Sequence, residues 1–187
     1  CVISNQRPSS SIEFKNDGKQ NKRSIQFDDL GVCDACRVRE LKGEINWKER
    51  EKELRELCNR FRKTDGSYDC LVPGSGGKDS FMTAHLLKYK YGMNPLTCTW
   101  APHVYTNWGF HNHNAWIHAG FDNILFTPNG KVHKLLTKLA FLNLGHPFQP
   151  FIMGQRLVGA KVALEKKIPL VFYGENVAEY GNNKDDN

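Results

Sequence analysis

No run of apolar residues in this sequence approaches the roughly 20 needed for a helix to cross a bilayer, and no basic segment followed by an apolar one marks an export leader. These absences point to a cytoplasmic protein without membrane contact. An initiator methionine is also missing: the chain opens on Cys1 and closes in the polar run 182–187, as expected of a piece of a longer polypeptide. A dense basic stripe is absent as well. The net charge is +6, but residues 1–63 hold 15 Lys/Arg interleaved with 11 Asp/Glu, and the remainder holds 11 against 9. That distribution describes solvated helix faces and makes nucleic acid an unlikely partner.

What is present suffices for a packed domain. The 187 residues, 40% hydrophobic and 25% charged, fit one medium domain with an appendage. Six cysteines without an export signal read as metal ligands or buried thiols rather than disulfides. Cys33-Asp34-Ala35-Cys36 sets two thiols at the spacing that occupies one edge of a tetrahedral zinc ion. Cys1 is a candidate third ligand, with the fourth coming from elsewhere. Cys58, Cys70 and Cys98 stand among apolar residues and read as buried thiols.

Three segments follow. Residues 1–45 form the cysteine-containing zinc-binding module with its polar loop. Residues 46–66 form a linker helix, with Asn46 as N-cap, Glu49 at the capping-box position and apolar residues at Trp47, Leu54, Leu57, Cys58 and Phe61. Residues 67–187 alternate short strands (68–72, 96–100, 124–127, 170–173) with helical stretches (80–91, 113–119, 131–144, 151–167). This alternation predicts an α/β fold with a parallel sheet and helices on both faces. Loops that follow such strands gather on one rim, where ligands bind.

The loop after the first strand reads Gly74-Ser75-Gly76-Gly77-Lys78-Asp79-Ser80. Its glycines permit positive φ and close approach of an anion, and the helix that follows offers free N–H groups. Ser75 and Ser80 add hydroxyls, and Lys78 adds a cation. A Walker A loop needs four residues between its first Gly and Gly-Lys-Ser/Thr, a spacing not met here. The stretch instead resembles the S-G-G-x-D-S loop of the PP-loop ATP pyrophosphatases, of adenine nucleotide alpha hydrolase-like fold, which split ATP between the α- and β-phosphates.

Longer blocks extend the likeness: "GVCDACR", "DGSYDCLVPGSGGKDSF", "KYKYGMNPLTCTWAPHVYTNWG", "GFDNILFTPNGKVHKLLTKLAF", "HPFQPFI" and "IPLVFYGENVAEYG" resemble the N-acetyl sugar amidotransferases of surface-polysaccharide and pseudaminic acid biosynthesis. The resemblance implies an enzyme that adenylates the acetamido carbonyl of an N-acetylated sugar with ATP and Mg²⁺ and replaces its oxygen with ammonia. It also implies a glutaminase subunit and a cyclase-like subunit that channels the ammonia, and a small N-terminal zinc-ribbon-like module with structural Zn²⁺. In this reading Lys78 and Asp79 are catalytic: Lys78 stabilises the departing pyrophosphate, and Asp79 holds Mg²⁺. Gly74, Ser75, Gly76, Gly77 and Ser80 cradle phosphates, Trp100 walls adenine or sugar, and Glu175 and Asn176 close the site. Cys1, Cys33 and Cys36 bind zinc.

Two features compete. His103, His111, His113 and His118 lie close together in sequence, but the intervening Trp100, Tyr105, Trp108 and Phe110 favour a ring-stacking loop over a metal site. Some PP-loop tRNA thiolases also carry an N-terminal zinc module. They need reactive cysteines at the rim, whereas Cys70 and Cys98 fall inside strand-like runs.

Overall fold

A computed structural model describes residues 26–175, which divide into two compact units, one reaching to Glu51 and one spanning Lys52–Glu175. Cys1 and Asn176 lie outside the described residues.

In the first unit a tight turn precedes helix α1 (Asp34–Glu44). Asp28 organises the turn: its Oδ1 accepts from the backbone N–H groups of Leu30 (3.0 Å) and Val32 (2.9 Å), and its Oδ2 accepts from Arg37 Nε (2.8 Å). Gly31 adopts φ +71° to complete it, and Phe27 bridges Cys33 across the turn. Helix α2 (Trp47–Phe61) starts as its sequence predicts, with the Asn46 side chain accepting from the Glu49 N–H at 3.2 Å. The division between the units falls within α2.

The second unit is built on three parallel strands, β1 (Cys70–Pro73), β2 (Pro95–Trp100) and β3 (Asn123–Phe126), in spatial order 1-2-3. The register pairs Pro73 with Cys98 and Trp100 with Phe126, so the carboxyl ends align. On the far side of β1 the segment Leu170–Phe172 runs parallel to it. Leu71 N–H donates to Leu170 O (2.9 Å), and Phe172 N–H donates to Leu71 O (2.8 Å). The sequence predicts a full strand there, whereas the pairing amounts to one bridge, Leu71 with Val171. Pro169 lacks a ladder donor, which limits how far that pairing extends toward the amino end.

Alternation along the strands sorts side chains to two cores. Cys70 and Val72 face a cluster with Cys58, Ala84, Leu87, Trp116 and Phe121, contributed by α2, by α3 (Lys78–His85) with its π-helical continuation Leu86–Lys90, and by α4 (Asn107–His118) with the turn after it. Leu71, Leu96 and Cys98 face Val158, Val162, Ala163 and Ile168, contributed by α6 (Gln149–Lys166) and the turn after it. The sheet is thus covered on both faces, as the strand–helix alternation predicts. Helix α5 (Gly130–Leu144), capped by the Asn129 side chain at the N–H groups of Lys131 and Val132, packs on α6.

Two helix starts near the site differ from expectation. Helix α3 begins at Lys78 instead of Ser80. Helix α4 begins at Asn107 instead of residue 113, because the Thr106 hydroxyl accepts from Gly109 N–H (3.0 Å) and caps it there.

Trp116 is wholly buried, whereas Trp108, on the same helix, is 76% exposed. Trp116→Ala is therefore expected to lower unfolding free energy in urea by about 3–5 kcal/mol, and Trp108→Ala by less than about 0.5 kcal/mol.

Candidate functional site

The chain leaves β1 toward β2 on one side, and the segment from Leu170 returns on the other. The carboxyl end of β1 is thus the point where the connections diverge, the usual ligand position in open α/β sheets. The loop from Gly74 to Gly77 occupies it.

Each of three glycines is required by contact. A Cβ at Gly74 would collide with the side chain of Ser80. Gly76 has φ +80°, and a Cβ there would stand 2.9 Å from the backbone oxygen of Asn112 on α4. Gly174 lies against the backbone of Asp79 and Ser80, where a Cβ would come within 2.7 Å of the Ser80 nitrogen. The loop is thus set against α4, and the first turn of α3 against the returning segment.

Gly77 is the N-cap of α3, with extended backbone and no side chain to satisfy the first N–H groups. Those donors, with the helix dipole, favour an anion. Ser80, buried, donates its hydroxyl to Gly77 O at 3.2 Å and fixes the turn. Lys78 is exposed, and its Nζ meets Asp79 Oδ1 at 2.8 Å. A lysine and a carboxylate therefore stand at the mouth of an amide-lined loop. Polyphosphate would draw the ammonium, and a divalent cation the carboxylate.

The structure brings Gly74 through Ser80 together with Gly174; Glu175, which is exposed, follows it in the chain. Trp100 is placed differently from a free stacking wall. Its ring stacks on Phe126 (centroids 5.1 Å apart, 12° between planes) and presses on Gly154 of α6, leaving one side toward an apolar cleft of about 700 Å³ between α5 and α6.

The four histidines singled out in the sequence do not converge. His111 and His113 are two residues apart on a helix and point to different faces. His113 is buried beside Tyr105 (6.2 Å between rings), and burial holds its pKa below the usual imidazole value. His103 instead pairs with His133 of α5, Nε2 to Nδ1 at 2.9 Å. Burial, and secondarily the neighbouring His103, lowers the His133 pKa. Sequence spacing could not reveal this pair, because the partners follow different strands. The role of Gly174 was similarly hidden, although a glycine directly after a strand-like run was a usable signal.

In the other unit, Cys33 is the N-cap residue of α1 and Cys36 lies in its first turn, with Cys36 N–H donating to Cys33 O at 2.9 Å. Burial raises the Cys33 thiol pKa, but hydrogen bonds from Cys36 and from the Ala35 backbone outweigh it and leave the net value below that of an ordinary thiol. The pair suits one edge of a thiolate zinc site. Among the described residues no group of three His, Cys, Asp or Glu side chains is placed to hold a metal ion. Cys1, the third ligand expected from the sequence, lies outside them.

Gly76→Ala combines strained φ with a clash against backbone, and is expected to lower the melting temperature by several degrees, corresponding to about 1–3 kcal/mol. Gly43→Ala, where a Cβ meets nothing within 4 Å in α1, should leave it unchanged or raise it. Differential scanning fluorimetry of the two variants checks the contrast.

No family model matches the chain. Over 77 residues it is 35% identical to an uncharacterized protein of Methanocaldococcus jannaschii, a match covering 41% of this chain and 27% of that protein.

Proposed function

We propose that the chain is the ATP-binding part of an ATP-dependent N-acetyl sugar amidotransferase of the PP-loop ATP pyrophosphatase type, acting in the cytoplasm in lipopolysaccharide O-antigen or flagellin glycan biosynthesis. The observation that carries this reading is the loop Gly74–Ser80 set between β1 and the amino end of α3 at the divergence of the sheet connections. The longer sequence blocks that resemble the sugar amidotransferases support the choice of acceptor.

The chemistry follows from the groups present. The acetamido oxygen attacks the α-phosphorus of ATP, and the bond to the β-phosphate oxygen breaks, releasing pyrophosphate. The amide carbon, now bearing an adenylyl leaving group, is attacked by ammonia. AMP departs with the original oxygen, a proton is lost, and an acetamidino group remains. The N–H groups at the start of α3 and the Lys78 ammonium bear on the charge growing on pyrophosphate. Magnesium, held by Asp79, would neutralise phosphate oxygens. Glu175 borders the same helix start and suits closure over nucleotide or sugar, with Asn176 next in the chain.

Glutamine-derived ammonia would come from a glutaminase subunit through a cyclase-like channelling subunit. Cys33, Cys36 and Cys1 would contribute to a structural zinc site.

The tRNA thiolase alternative needs an accessible thiol near the loop. Cys58, Cys70 and Cys98 are wholly buried. Burial pushes the Cys98 pKa up to about 12, and the Cys70 pKa also lies far above that of an ordinary thiol. Among the described residues of this unit no cysteine is available for sulfur transfer, which favours the amidotransferase.

Pyrophosphate release by the whole protein, supplied with ammonium and partner subunits, should depend on an acetamido sugar and not on tRNA. Lys78→Ala should lower that turnover by about two orders of magnitude. Release that requires tRNA, or a Lys78→Ala variant at wild-type rate, would overturn the respective assignments.

Protein purified without a histidine tag should carry about one zinc per chain, lost together with Cys33 and Cys36 in the double serine variant. Metal analysis by mass spectrometry reads both. A stably folded metal-free wild type would remove the zinc site.

A further inference from the structure

Helix α4 differs from every other described helix in carrying no Asp, Glu, Lys or Arg; it is a run of rings, amides and small residues. Trp108, His111 and Asn112 stand at i, i+3 and i+4, so they share one face, and Ala115 continues it at i+7. All four are exposed. The His111 ring meets Trp108 perpendicularly, with centroids 5.8 Å apart and 88° between planes, and Trp108 remains 76% exposed. Packing within the fold makes little use of this ring.

The same face borders the Gly74–Ser80 loop. Gly76 lies against the backbone of Asn112 and His113, and a Cβ on Gly74 would stand 3.2 Å from the Trp116 ring. By helical spacing Gly109 falls on that line of contact one turn earlier. There, its own helix and chain neighbours aside, an added Cβ would meet only the Thr106 hydroxyl among the described residues. Helix α4 connects the carboxyl end of β2 to the amino end of β3, so it descends from the rim of the sheet and its first turn stands highest. Trp108, four residues before Asn112, therefore lies about 6 Å further out than the Gly76 contact, beside the bare surface of Gly109.

Composition selects the occupant. Without a cation or a carboxylate, α4 offers nothing to an acidic or a basic ligand. One large ring is too little for a protein interface, whose centre is a desolvated cluster of apolar and aromatic anchors. A pyranose fits both kinds of group. Its C–H groups, slightly positive, settle on the negative face of the indole. Its hydroxyls, which donate and accept, find side chains that do both, the Asn112 amide and the His111 imidazole.

We propose that Trp108, with His111 and Asn112, forms the platform on which the pyranose ring of the acetamido sugar rests, one helical turn beyond the phosphate loop. The proposal builds on the amidotransferase reading of that loop and adds where the acceptor sits. Trp108 is a specificity-determining contact here and takes no part in the chemistry.

The first test is sugar-dependent pyrophosphate release by the whole protein with ammonium and partner subunits. Trp108→Ala should raise the KM for the acetamido sugar about tenfold while leaving the KM for ATP within about twofold and the melting temperature unchanged. Trp108→Phe, which keeps an aromatic face, should restore the sugar KM to within about threefold of wild type. Asn112→Ala should raise the sugar KM severalfold. The second test needs no turnover. Fluorotryptophan placed at the four tryptophans gives fluorine NMR signals, and Trp108 is identified as the one lost in Trp108→Phe. Methyl glycosides of N-acetylglucosamine, N-acetylgalactosamine and N-acetylmannosamine are the probes, and at least one should move the Trp108 signal while the buried Trp116 signal stays in place.

An unchanged sugar KM in Trp108→Ala would overturn the proposal, as would a Trp108 signal indifferent to all three glycosides. A rise in the KM for ATP alone would put adenine on the ring instead. A rise in both KM values together with a lowered melting temperature would reduce Trp108 to a structural role. The two readings fail separately: a Trp108 signal that responds to acetamido sugars without sugar-dependent pyrophosphate release keeps the platform and removes the amidotransferase. Sugar-dependent release with an indifferent Trp108 does the reverse.

Discussion

The close approach of backbone to backbone around the start of α3 is the constraint on which the candidate site depends. Gly76 meets α4, Gly174 meets Asp79 and Ser80, and Gly74 meets the Ser80 side chain, all at distances that leave no room for a Cβ. The Gly76 and Gly174 contacts are with main chain, so the loop and the first turn of α3 are held with little intervening side-chain volume. A phosphate cradle needs that combination of rigidity and small volume. Closely packed glycine recurs in α6, where Gly154 rests on Trp100 and Gly159 on Pro73 and Tyr173, bringing that helix near the other face of the sheet.

Much of the second unit was legible because its signals are local. The runs ending at Val72, Trp100 and Thr127 each give a strand within one or two residues of the predicted bounds, and in the first unit the Asn46 cap does what its chemistry requires. The buried thiols Cys58, Cys70 and Cys98 were evident from their apolar neighbours. The stretch after Trp100 misled because its density of rings suggested a loop wall, whereas Thr106 starts a helix that carries Trp108, Phe110 and His111 outward and Trp116 inward.

What the sequence hid are pairings between distant segments. His103 with His133, Gly174 with the start of α3, and the cleft formed by α5 with α6 arise only when the parallel strands stack in register. Periodicity reports which face of one helix is apolar, and it does not report whether a neighbour covers that face. Helix α5 illustrates this: it carries five leucines, yet among its residues only His133 and Ala140 are buried.

The wall of the site formed by Leu170–Glu175 is fastened in an uneven way. Two backbone hydrogen bonds tie it to β1, a net contribution of about 2 kcal/mol at most values measured for such bonds. The remainder comes from its side chains, which alternate between the cores: Leu170 and Phe172 pack on one, Val171 on the other. A segment held to the sheet by one bridge and by side chains contributes less to the ladder than the three strands do, and local stability is lowest where backbone pairing is sparse. Amide exchange is the natural probe of such a seam. The backbone amide of Phe172 is bonded across the single bridge, whereas the amide of Thr97 is bonded to Asp122 O in the middle of the sheet.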